Sequence, residues 1–279
     1  MNGVPTRYGG GIAILGAAHT AVLKTLDNLV VRWAVNAGAE EILPPPIHAV
    51  ADLVKFDVYT NFPHLSLVAG PLRTDPPTKP HGGQFTSHQI LPAGLGLPIA
   101  TCFGVYLFLE DRRVTDDLLI TLSNRCFRSE EYFDGLRRLL TFQMREIVAV
   151  GSYEHTQRHL ERFTTKIENL AERLSLNMVK KAASDPFFQK ESPRALMQQL
   201  SAVKNEFQVH GLAISSVNTH RNYFGERCNI TLKNGEPAFT SCVAFGLERW
   251  LAVLLDRHGG NAEAALEAIR SVSDHLIST

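Results

Sequence analysis

The order of helices and strands is the feature of this sequence that most constrains its fold. Apolar residues recur at helical spacing over residues 19–37 and 154–174. Apolar runs typical of strands lie between and after these two helices. We predict them at 99–110, 142–150, 211–217 and 237–244. Because strands and helices do not alternate regularly, the order favours an α+β fold, an antiparallel β-sheet flanked by helices, over a doubly wound parallel sheet.

The first predicted helix has the clearest periodicity. Its apolar positions are three and four residues apart, as expected for one buried face. They are Leu23, Leu26, Val30, Trp33 and Ala37. Gly38 is a favourable residue for its C-terminus. Residues 40–47 contain three prolines, which cannot donate to a strand ladder, so we predict a short edge strand or an extended segment there.

Turn and capping residues predict the remaining elements. The proline-rich residues 75–82 are expected to form a loop. Ser192-Pro193 has the pattern of a helix start. The buried face of that helix would comprise Leu196, Leu200 and Val203. Gly246 and Gly259-Gly260 bound a further helix, and Asn261 is expected to cap the last one.

Charge and composition exclude several classes of protein. Lys and Arg number 28, as do Asp and Glu, so the chain lacks the basic excess typical of a large nucleic-acid-binding surface. The N-terminal segment has no basic region followed by an apolar run, and no secretory signal is predicted. No apolar run reaches the roughly 18 residues of a membrane span. The four cysteines form no CxxC pair, which indicates reduced thiols in a cytoplasmic protein.

A glycine-rich segment near the N-terminus does not have the pattern of a phosphate-binding loop. Gly9, Gly10, Gly11 and Gly16 lack GxGxxG spacing, and no Lys-Ser or Lys-Thr pair follows them. We therefore expect a turn at this position rather than a nucleotide site.

Two segments carry residues suited to phosphate chemistry. The first is Phe127-Arg128-Ser129-Glu130, followed after a loop by Arg138-x-x-x-Phe142. The second is Ala244-Phe245-Gly246-Leu247-Glu248-Arg249. Arginine suits phosphate because its planar fork is always charged and binds two oxygens at once. Taken singly, the first segment could be a charged strand end, and the second a first helical turn with a glutamate near the positive end of the helix dipole.

Together the two segments resemble the signature motifs of class II aminoacyl-tRNA synthetases. The first resembles motif 2, and the second resembles motif 3 with Ala244 in place of the first glycine. Residues 37–47 resemble the weaker motif 1, which implies a homodimer. The resemblance implies the catalytic core of that class, an antiparallel sheet flanked by helices.

This resemblance implies an ATP site. Amino-acid activation is an in-line attack of a carboxylate on the α-phosphorus, which requires positioning and cations rather than a general base. The resemblance implies that Arg128 contacts the α-phosphate, that Arg249 contacts the γ-phosphate and that Arg138 holds the phosphates from the motif 2 loop. It further implies that Glu130 binds the adenine amino group and that Phe142 stacks on the adenine. ATP is expected to bring Mg²⁺.

A narrower resemblance extends over nearly the whole chain. It rests on short segments between residues 59 and 246. They are Tyr59-Thr60-Asn61-Phe62-Pro63, Cys102-x-x-x-Tyr106, Met144-Arg145-Glu146-Ile147-Val148-x-x-Gly151, Asp185-Pro186-Phe187-Phe188, Lys204-x-Glu206-Phe207, Asn218-x-His220-x-x-Tyr223-Phe224-Gly225 and Cys242-x-x-Phe245-Gly246. Together they resemble the amino acid–[carrier protein] ligases, truncated relatives of the methanogen-type seryl-tRNA synthetases.

The narrower resemblance implies a Zn²⁺ site formed by Cys102, Glu146 and Cys242. Three protein ligands leave one tetrahedral position open, as in zinc sites that bind a substrate. In this family that position holds the α-amino group of the amino acid. Asn218 and His220 are expected near the amino acid, with a structural hydrogen-bonding role as the alternative. No acidic residue lies around 213–216, where related synthetases place a magnesium-binding glutamate, which leaves the protein ligands of Mg²⁺ open.

The resemblance also implies an acceptor for the activated amino acid. We expect one catalytic domain over residues 1–279, with a helical insertion around 153–206 and without a tRNA-binding domain. The expected reaction activates a small amino acid, glycine or alanine, as its adenylate and transfers it to the phosphopantetheine thiol of a carrier protein. Arg158, Arg162, Lys166 and Lys180-Lys181 could dock an acidic carrier, or could form a solvated helix face.

Three alternatives stay open. The first is an aminoacyl-tRNA synthetase, and the second is an adenylate-forming ligase that passes the aminoacyl group to a small molecule in natural-product biosynthesis. The third is a catalytically inactive binding protein. The presence of Arg128, Glu130, Phe142 and Arg249 argues against the third.

Overall fold

The computed structural model describes residues 7–189, 191 and 203–276. Its strands, in chain order, are β1 (Arg7–Gly9), β2 (Ile12–Ile14), β3 (Glu40–Ile42), β4 (His48–Ala49), β5 (Leu67–Ala69), β6 (Leu95–Leu97), β7 (Arg113–Val114), β8 (Leu118–Phe127), β9 (Thr141–Gly151), β10 (Met178–Ala182), β11 (Lys204–Val209), β12 (Leu212–Arg221), β13 (Thr231–Leu232) and β14 (Phe239–Gly246). Its helices are α1 (Ala17–Asn36), α2 (Val50–Lys55), α3 (Val58–Asn61), α4 (Phe103–Phe108), α5 (Tyr153–Arg173), α6 (Tyr223–Arg227), α7 (Leu247–Arg257) and α8 (Ala262–Leu276).

A seven-stranded sheet in the order β10-β11-β12-β14-β9-β8-β3 forms the centre of the fold. Every neighbouring pair is antiparallel except β3 and β8, which are parallel at one edge. The predicted α+β fold with an antiparallel sheet flanked by helices is therefore confirmed. A small sheet of order β4-β6-β5 lies apart from the central one. The segment 40–47 does supply a short edge strand, which ends at Ile42 before the prolines.

One face of the central sheet is covered by α1, α5 and α7, with α8 packed against α1. The apolar stripes predicted from helical periodicity supply this core, and its largest fully buried side chains include Trp33, Phe163 and Trp250. Ile147 of β9 and Phe245 of β14 face the same core. Burying such side chains contributes about 1.5–3 kcal/mol each.

The opposite face is covered by shorter helices and carries a second core. Phe56, Phe103, Tyr106 and Phe224 pack together there, and the rings of Tyr106 and Phe224 stack with centroids 3.9 Å apart. Val148 of β9 belongs to this core, whereas Ile147 belongs to the first one. Since strand side chains alternate between faces, one strand supplies both layers.

A buried ion-pair network ties the helical layer to the sheet. The Arg145 guanidinium, on a residue only 4% exposed, donates from Nε and Nη2 to both carboxylate oxygens of Asp27 in α1, at 2.7 and 2.9 Å. Its Nη1 donates to Glu41 in β3 at 2.7 Å. Bidentate charged pairs of this kind fix orientation, and two carboxylates compensate the burial of one cation.

Most predicted elements are confirmed. Helix α1 begins and ends close to the predicted bounds, and so does α5. The side chain of Asn261 accepts hydrogen bonds from the N–H groups of Glu263 and Ala264, as an N-cap residue does. Residues 75–82 form turns and coil, as expected.

The prediction of a strand at 99–110 is wrong. This stretch contains α4, Phe103–Phe108, preceded by coil and turn residues. Its first four residues, Phe103 to Tyr106, are all buried, so the apolar run has no periodicity that separates a helix from a strand. Strand β8, which precedes Arg128, was not predicted at all.

The helical insertion expected around 153–206 is described only in part. It contains α5, but also strand β10 and the start of β11, both of which join the central sheet. The helix predicted from Ser192-Pro193, with Leu196 and Leu200, lies outside the described residues.

None of the helices that the structure describes is long and apolar enough to cross a membrane.

A buried histidine predicts how stability depends on pH. His159 of α5 is 3% exposed, and its Nδ1 lies 2.8 Å from Ser241 Oγ. Burial, reinforced by the nearby His155, lowers the pKa of His159 to about 3. In the unfolded chain a histidine has a pKa of about 6.5, so as the pH falls the unfolded state takes up a proton at His159 before the folded state does. The contribution of His159 to the free energy of unfolding is therefore lost progressively below about pH 6.5.

We expect the wild-type free energy of unfolding to fall by about 2 kcal/mol more between pH 7 and pH 5 than that of His159→Gln, which can keep a hydrogen bond to Ser241. Urea denaturation at both pH values measures the difference. Equal losses in the two proteins would contradict the prediction.

Candidate functional site

A cavity of about 680 Å³ lies on the face of the sheet that carries α4 and α6. Its floor is made by β9, β12 and β14, whose register pairs Asn218 with Cys242 and Ala244 with Glu146. Residues directly opposite one another in an antiparallel pair share a face. The floor is therefore built of side chains from three adjacent strands.

Cys102, Glu146 and Cys242 come together in the cavity. Their ligand atoms all lie within 4.8 Å of one another, and all three residues are buried. Cys102 directly precedes α4, while Glu146 lies in β9 and Cys242 in β14. The predicted trio is thus clustered although its members are far apart in sequence.

The chemistry of this trio fits a divalent metal ion. Glu146 Oε1 accepts the N–H of Thr101 at 3.1 Å, whereas Oε2 is buried and has no hydrogen-bond partner among the described residues. A buried carboxylate oxygen without a partner is costly. Two thiolates and one carboxylate would be compensated by a Zn²⁺ ion, for which they are suitable ligands.

Burial opposes the ionisation of all three groups, and each of their pKa values is raised. The neighbouring Cys242 thiol, together with burial, raises the pKa of Cys102 well above its usual value. The Cys102 thiol lowers the pKa of Cys242, but burial and the charge of Glu146 outweigh it, so this pKa is raised too. Burial also raises the pKa of Glu146, against the effect of the Thr101 N–H. The trio therefore has a strong requirement for positive charge.

Asn218 and His220 surround Cys242. The Asn218 amide donates to Cys242 Sγ at 3.3 Å and to Ser216 Oγ at 3.1 Å. His220 Nδ1 lies 3.1 Å from the Tyr106 hydroxyl, and Nε2 lies 3.7 Å from Cys242 Sγ. Asn218 and His220 also line the cavity, so each can make these hydrogen bonds and still contact an amino acid.

Arg128 lines the same cavity as the trio. Its Nε and Nη2 donate to the carbonyl oxygen of Ile99 at 3.2 and 3.0 Å. Its guanidinium lies over the Phe142 ring, 5.1 Å from the centroid. The backbone of Ile99 thus holds the cation, which faces both the cavity and the ring expected to stack on adenine.

Three other residues expected to bind ATP, Glu130, Phe142 and Arg249, line an adjacent narrow cleft of about 10 Å³. Arg249 donates to the carbonyl oxygens of Arg137 and Ala213, both at 3.0 Å. Burial, followed by the nearby Arg128 and Arg138, lowers the pKa of Arg249 to about 10. It remains charged at neutral pH, and an anion would relieve the repulsion between these cations.

Glu130 is paired with Arg138 in this structure. Arg138 Nη1 lies 2.6 Å from Glu130 Oε2, and its guanidinium lies over the Tyr132 ring, 4.5 Å from the centroid. Contact of Glu130 with an adenine amino group would require this pair to separate or to share the carboxylate. Both residues lie near Arg249, so the predicted nucleotide-binding residues are brought together.

The sequence did not assign Lys204, whose side chain lines the cavity. Nor did it assign a role to Asp185. The rings of Phe187 and Phe62 stack with centroids 5.1 Å apart, and Asp185 lines the cavity. Glu206 is partly buried and pairs with Lys204. The alternation of Lys204 and Glu206 along one strand was the available signal.

The basic residues considered for carrier docking lie elsewhere. Arg158, Arg162 and Lys166 belong to α5, which packs on the opposite face of the sheet from the cavity. Lys166 lies over the Trp33 ring, 5.7 Å from its centroid. This placement does not favour α5 as the surface that delivers a substrate to the cavity.

Glu248 of the second motif joins α7 to β9. Its carboxylate accepts the Gln143 N–H at 2.8 Å and pairs with Arg125 at 3.1 Å. Its side chain is 3% exposed, and burial raises its pKa against these two contacts. Because Phe142 precedes Gln143 and Arg249 follows Glu248, this contact sets the position of two residues of the cleft.

No protein-family model matches the chain. Among curated proteins, amino acid–[acyl-carrier-protein] ligase 1 of Bradyrhizobium diazoefficiens is 30% identical over 94% of this chain and 84% of its own length. Ligase 2 of the same organism is 32% identical over 68% of this chain and 59% of its own length. The type-2 serine–tRNA ligase of Methanocaldococcus jannaschii is 26% identical over 87% of this chain, which spans about half, 52%, of that protein.

Solved structures show the same fold. The seryl-tRNA synthetase of M. kandleri, in a complex with A. aeolicus tRNASec, superposes with a TM-score of 0.76 at 22% identity, over 96% of this chain and 58% of that one. The cytoplasmic serine–tRNA ligase of Naegleria fowleri, in complex with AMP, has a TM-score of 0.70 at 12% identity, over 94% of this chain and 61% of that one. The central sheet is thus that of class II aminoacyl-tRNA synthetases.

We expect Glu248→Ala to lower the free energy of unfolding by about 2 kcal/mol, because it leaves the Gln143 N–H without its acceptor and Arg125 without its counterion. Urea denaturation measures the change. Glu263→Ala is the matched control, since Glu263 is an exposed glutamate in the first turn of α8, and its loss should cost less than about 0.5 kcal/mol. Equal small effects would refute a positioning role for Glu248.

Proposed function

The chain belongs to the family of amino acid–[acyl-carrier-protein] ligases, and from this premise we propose that it activates a small amino acid with ATP, as the aminoacyl-adenylate, and transfers it to the phosphopantetheine thiol of a carrier protein. Glycine or alanine is the proposed amino acid. The single observation that carries the proposal is that the trio Cys102, Glu146 and Cys242 lines the same cavity as Arg128.

Cys102, Glu146 and Cys242 would hold a Zn²⁺ ion, and the buried Glu146 oxygen without a partner supports this assignment. A zinc ion bound there would offer its open position to the neutral α-amino group of the amino acid. Asn218 would keep Cys242 in position through its amide. The amino group would then be fixed on the cavity floor, with the carboxylate directed away from it.

Arg128 would bind the α-phosphate during activation. A carboxylate oxygen of the amino acid forms a bond to the α-phosphorus while the bond to the pyrophosphate oxygen breaks. The carboxylate is already charged, so the step needs no base, and a fixed guanidinium stabilises the charge on the phosphate. The carbonyl oxygen of Ile99 accepts hydrogen bonds from Arg128, which limits the movement of the guanidinium during the reaction. Arg249 and Arg138 would bind the outer phosphates, with Mg²⁺ supplied by ATP.

Glu130 and Phe142 would bind the adenine in the adjacent cleft, which at about 10 Å³ has to widen to admit it. The amide N–H of Gln143, accepted by Glu248, keeps the start of β9 against α7, which supports a fixed position for Phe142. In the transfer step, the carrier thiolate attacks the carbonyl carbon of the adenylate and AMP leaves. The cavity, of about 680 Å³, is much larger than a small amino acid and leaves room for an incoming thiol.

The proposal extends to the organisation of the protein. We propose that residues 1–279 belong to one catalytic domain and that the protein is a cytoplasmic homodimer. Leu43, which directly follows β3 within the segment that resembles motif 1, is 92% exposed. Such an exposed apolar residue supports a second copy of the chain as the partner.

We expect incubation with ATP, glycine or alanine and a holo carrier protein to add one aminoacyl group to the carrier. Mass spectrometry of the intact carrier measures it, and apo carrier without the phosphopantetheine thiol should stay unmodified. Arg128→Ala should reduce loading by at least about 100-fold while circular dichroism stays unchanged, because a fixed cation at the reacting phosphate contributes several kcal/mol.

A parallel reaction with tRNA distinguishes the alternatives. Charged tRNA with an unloaded carrier would replace the proposal with a tRNA-charging activity. If pyrophosphate exchange occurs but neither acceptor is loaded, the small-molecule alternative is favoured. No exchange with any standard amino acid would reject adenylate formation altogether.

We expect the purified protein to contain about one zinc ion per chain, and Cys242→Ser to hold less than about a tenth of that after dialysis, because the ion loses one thiolate ligand. Metal analysis of the purified proteins provides the measurement. Cys228→Ser is the matched control, since Cys228 is a buried cysteine outside the trio. A wild-type protein without zinc, or equal zinc in Cys242→Ser, would reject the site.

A further inference from the structure

The cavity contains a lysine to which neither the sequence nor the proposed reaction assigns a role. Lys204 lies in β11, and its side chain is 15% exposed. Its Nζ lies 2.9 Å from Asp185 Oδ1 and 3.3 Å from Glu206 Oε1. Burial lowers the pKa of Lys204, but the charges of Asp185 and Glu206 outweigh it and leave the pKa raised, so the ammonium group is charged.

The register of the sheet places Lys204 in line with the metal-ligating trio. Lys204 is opposite Asn218 in β12, and Asn218 is opposite Cys242 in β14. Neighbouring strands are about 4.8 Å apart, so the Cα atoms of Lys204 and Cys242 are separated by about 10 Å. The thiol of Cys242 and the ammonium group of Lys204 therefore belong to the same row of residues across the sheet, two strands apart.

The next row of the floor has small side chains at its centre. Glu206 is opposite Ser216, which is opposite Ala244, which is opposite Glu146. Ser216 and Ala244 leave space above the sheet between the trio and Lys204, and both line the cavity. A substrate whose amino group lies at the trio can thus extend along the floor toward Lys204.

The length of the reacting group fits this span. In an aminoacyl-adenylate, four bonds separate the amino nitrogen from the phosphorus, a distance of roughly 5 Å. With the amino group at the trio, the phosphorus would lie over the middle of the floor. Lysine reaches such a point with a flexible four-carbon side chain. Arg128 lines the same cavity, and its charge acts on Lys204.

We propose that Lys204 is a phosphate-binding residue of this site, whose ammonium group binds a non-bridging oxygen of the α-phosphate together with Arg128. Asp185 is then its counterion in the free protein and gives it up, at least in part, when the nucleotide binds. This inference rests on the proposed function, because it requires a nucleotide α-phosphate beside the trio.

A purely structural ion pair is the competing explanation. In that case Lys204 would serve only to hold the turn at 185–188 against β11. The backbone already makes such a connection, since the Ala183 N–H donates to the Lys204 carbonyl oxygen at 3.1 Å. The two explanations differ in what they require of Asp185, because a structural pair needs both partners, whereas a phosphate ligand needs only the lysine.

Pyrophosphate exchange at varied ATP concentration separates the two. We expect Lys204→Met to lower kcat/KM for ATP by about 30-fold or more, with a much smaller change in the zinc content, and Lys204→Arg to retain part of the activity. Asp185→Asn should stay within about threefold of wild type. Equal losses in Lys204→Met and Asp185→Asn, or no loss in Lys204→Met, would overturn the proposal.

Two further variants keep the test valid if Lys204→Met is unstable. The double variant Lys204→Met/Asp185→Asn also removes the carboxylate that paired with Lys204, and should recover thermal stability but not exchange activity. Recovery of activity as well would assign Lys204 a structural role. Lys180→Met is the matched control, since Lys180 lies in the adjacent strand β10 over Phe207, on the other face of the sheet. Wild-type protein without exchange would refute the proposed activation and this role together, whereas active wild-type protein isolates the role of Lys204.

Discussion

The alternation of side chains along β9 is the constraint on which the rest of the structure depends. Arg145 and Glu146 are adjacent, so the pleat directs them to opposite faces of the sheet. Arg145 pairs with Asp27 and Glu41 beneath the helical layer, while Glu146 joins two cysteines in the cavity. Because a shift of one residue would exchange these two environments, the buried ion pair also fixes the register of the site.

Charge compensation explains why the cavity has its composition. At one end, two thiols and a carboxylate are buried close together and require a cation. Toward the cleft lined by Glu130, Phe142 and Arg249, the charges of Arg128 and Arg138 act on Arg249, and Glu130 offsets part of them. One end therefore lacks positive charge, and the other lacks negative charge. In the proposed reaction, the amino acid supplies an amine for the metal that the first end would hold, and ATP supplies phosphates for the second end, which is the pairing that adenylate formation needs.

The sequence predicted the parts of this molecule that are local or periodic. Helices α1 and α5 follow from apolar spacing, α7 follows from the glycines at its ends, and the cap at Asn261 follows from residue type. Cys102, Glu146 and Cys242 followed only from a family resemblance, since residues so far apart in the chain carry no spacing signal. Helix α4 was mistaken for a strand because its first turn is buried on all sides. The contact between Glu146 and Thr101 uses a backbone N–H, which no side-chain pattern can indicate.

The positions of the unassigned polar residues follow from the same sheet geometry. Once β9, β14 and β12 place Glu146, Cys242 and Asn218 on one face, the next strand must present Lys204 and Glu206 to the same cavity. The side chain of Lys204 is mostly buried, at 15% exposed, so its charge has to be paired. Its partner, Asp185, comes from a turn whose aromatic residue is packed against Phe62. The segment that contains Asp185 thus supplies a carboxylate that an incoming phosphate can replace at Lys204.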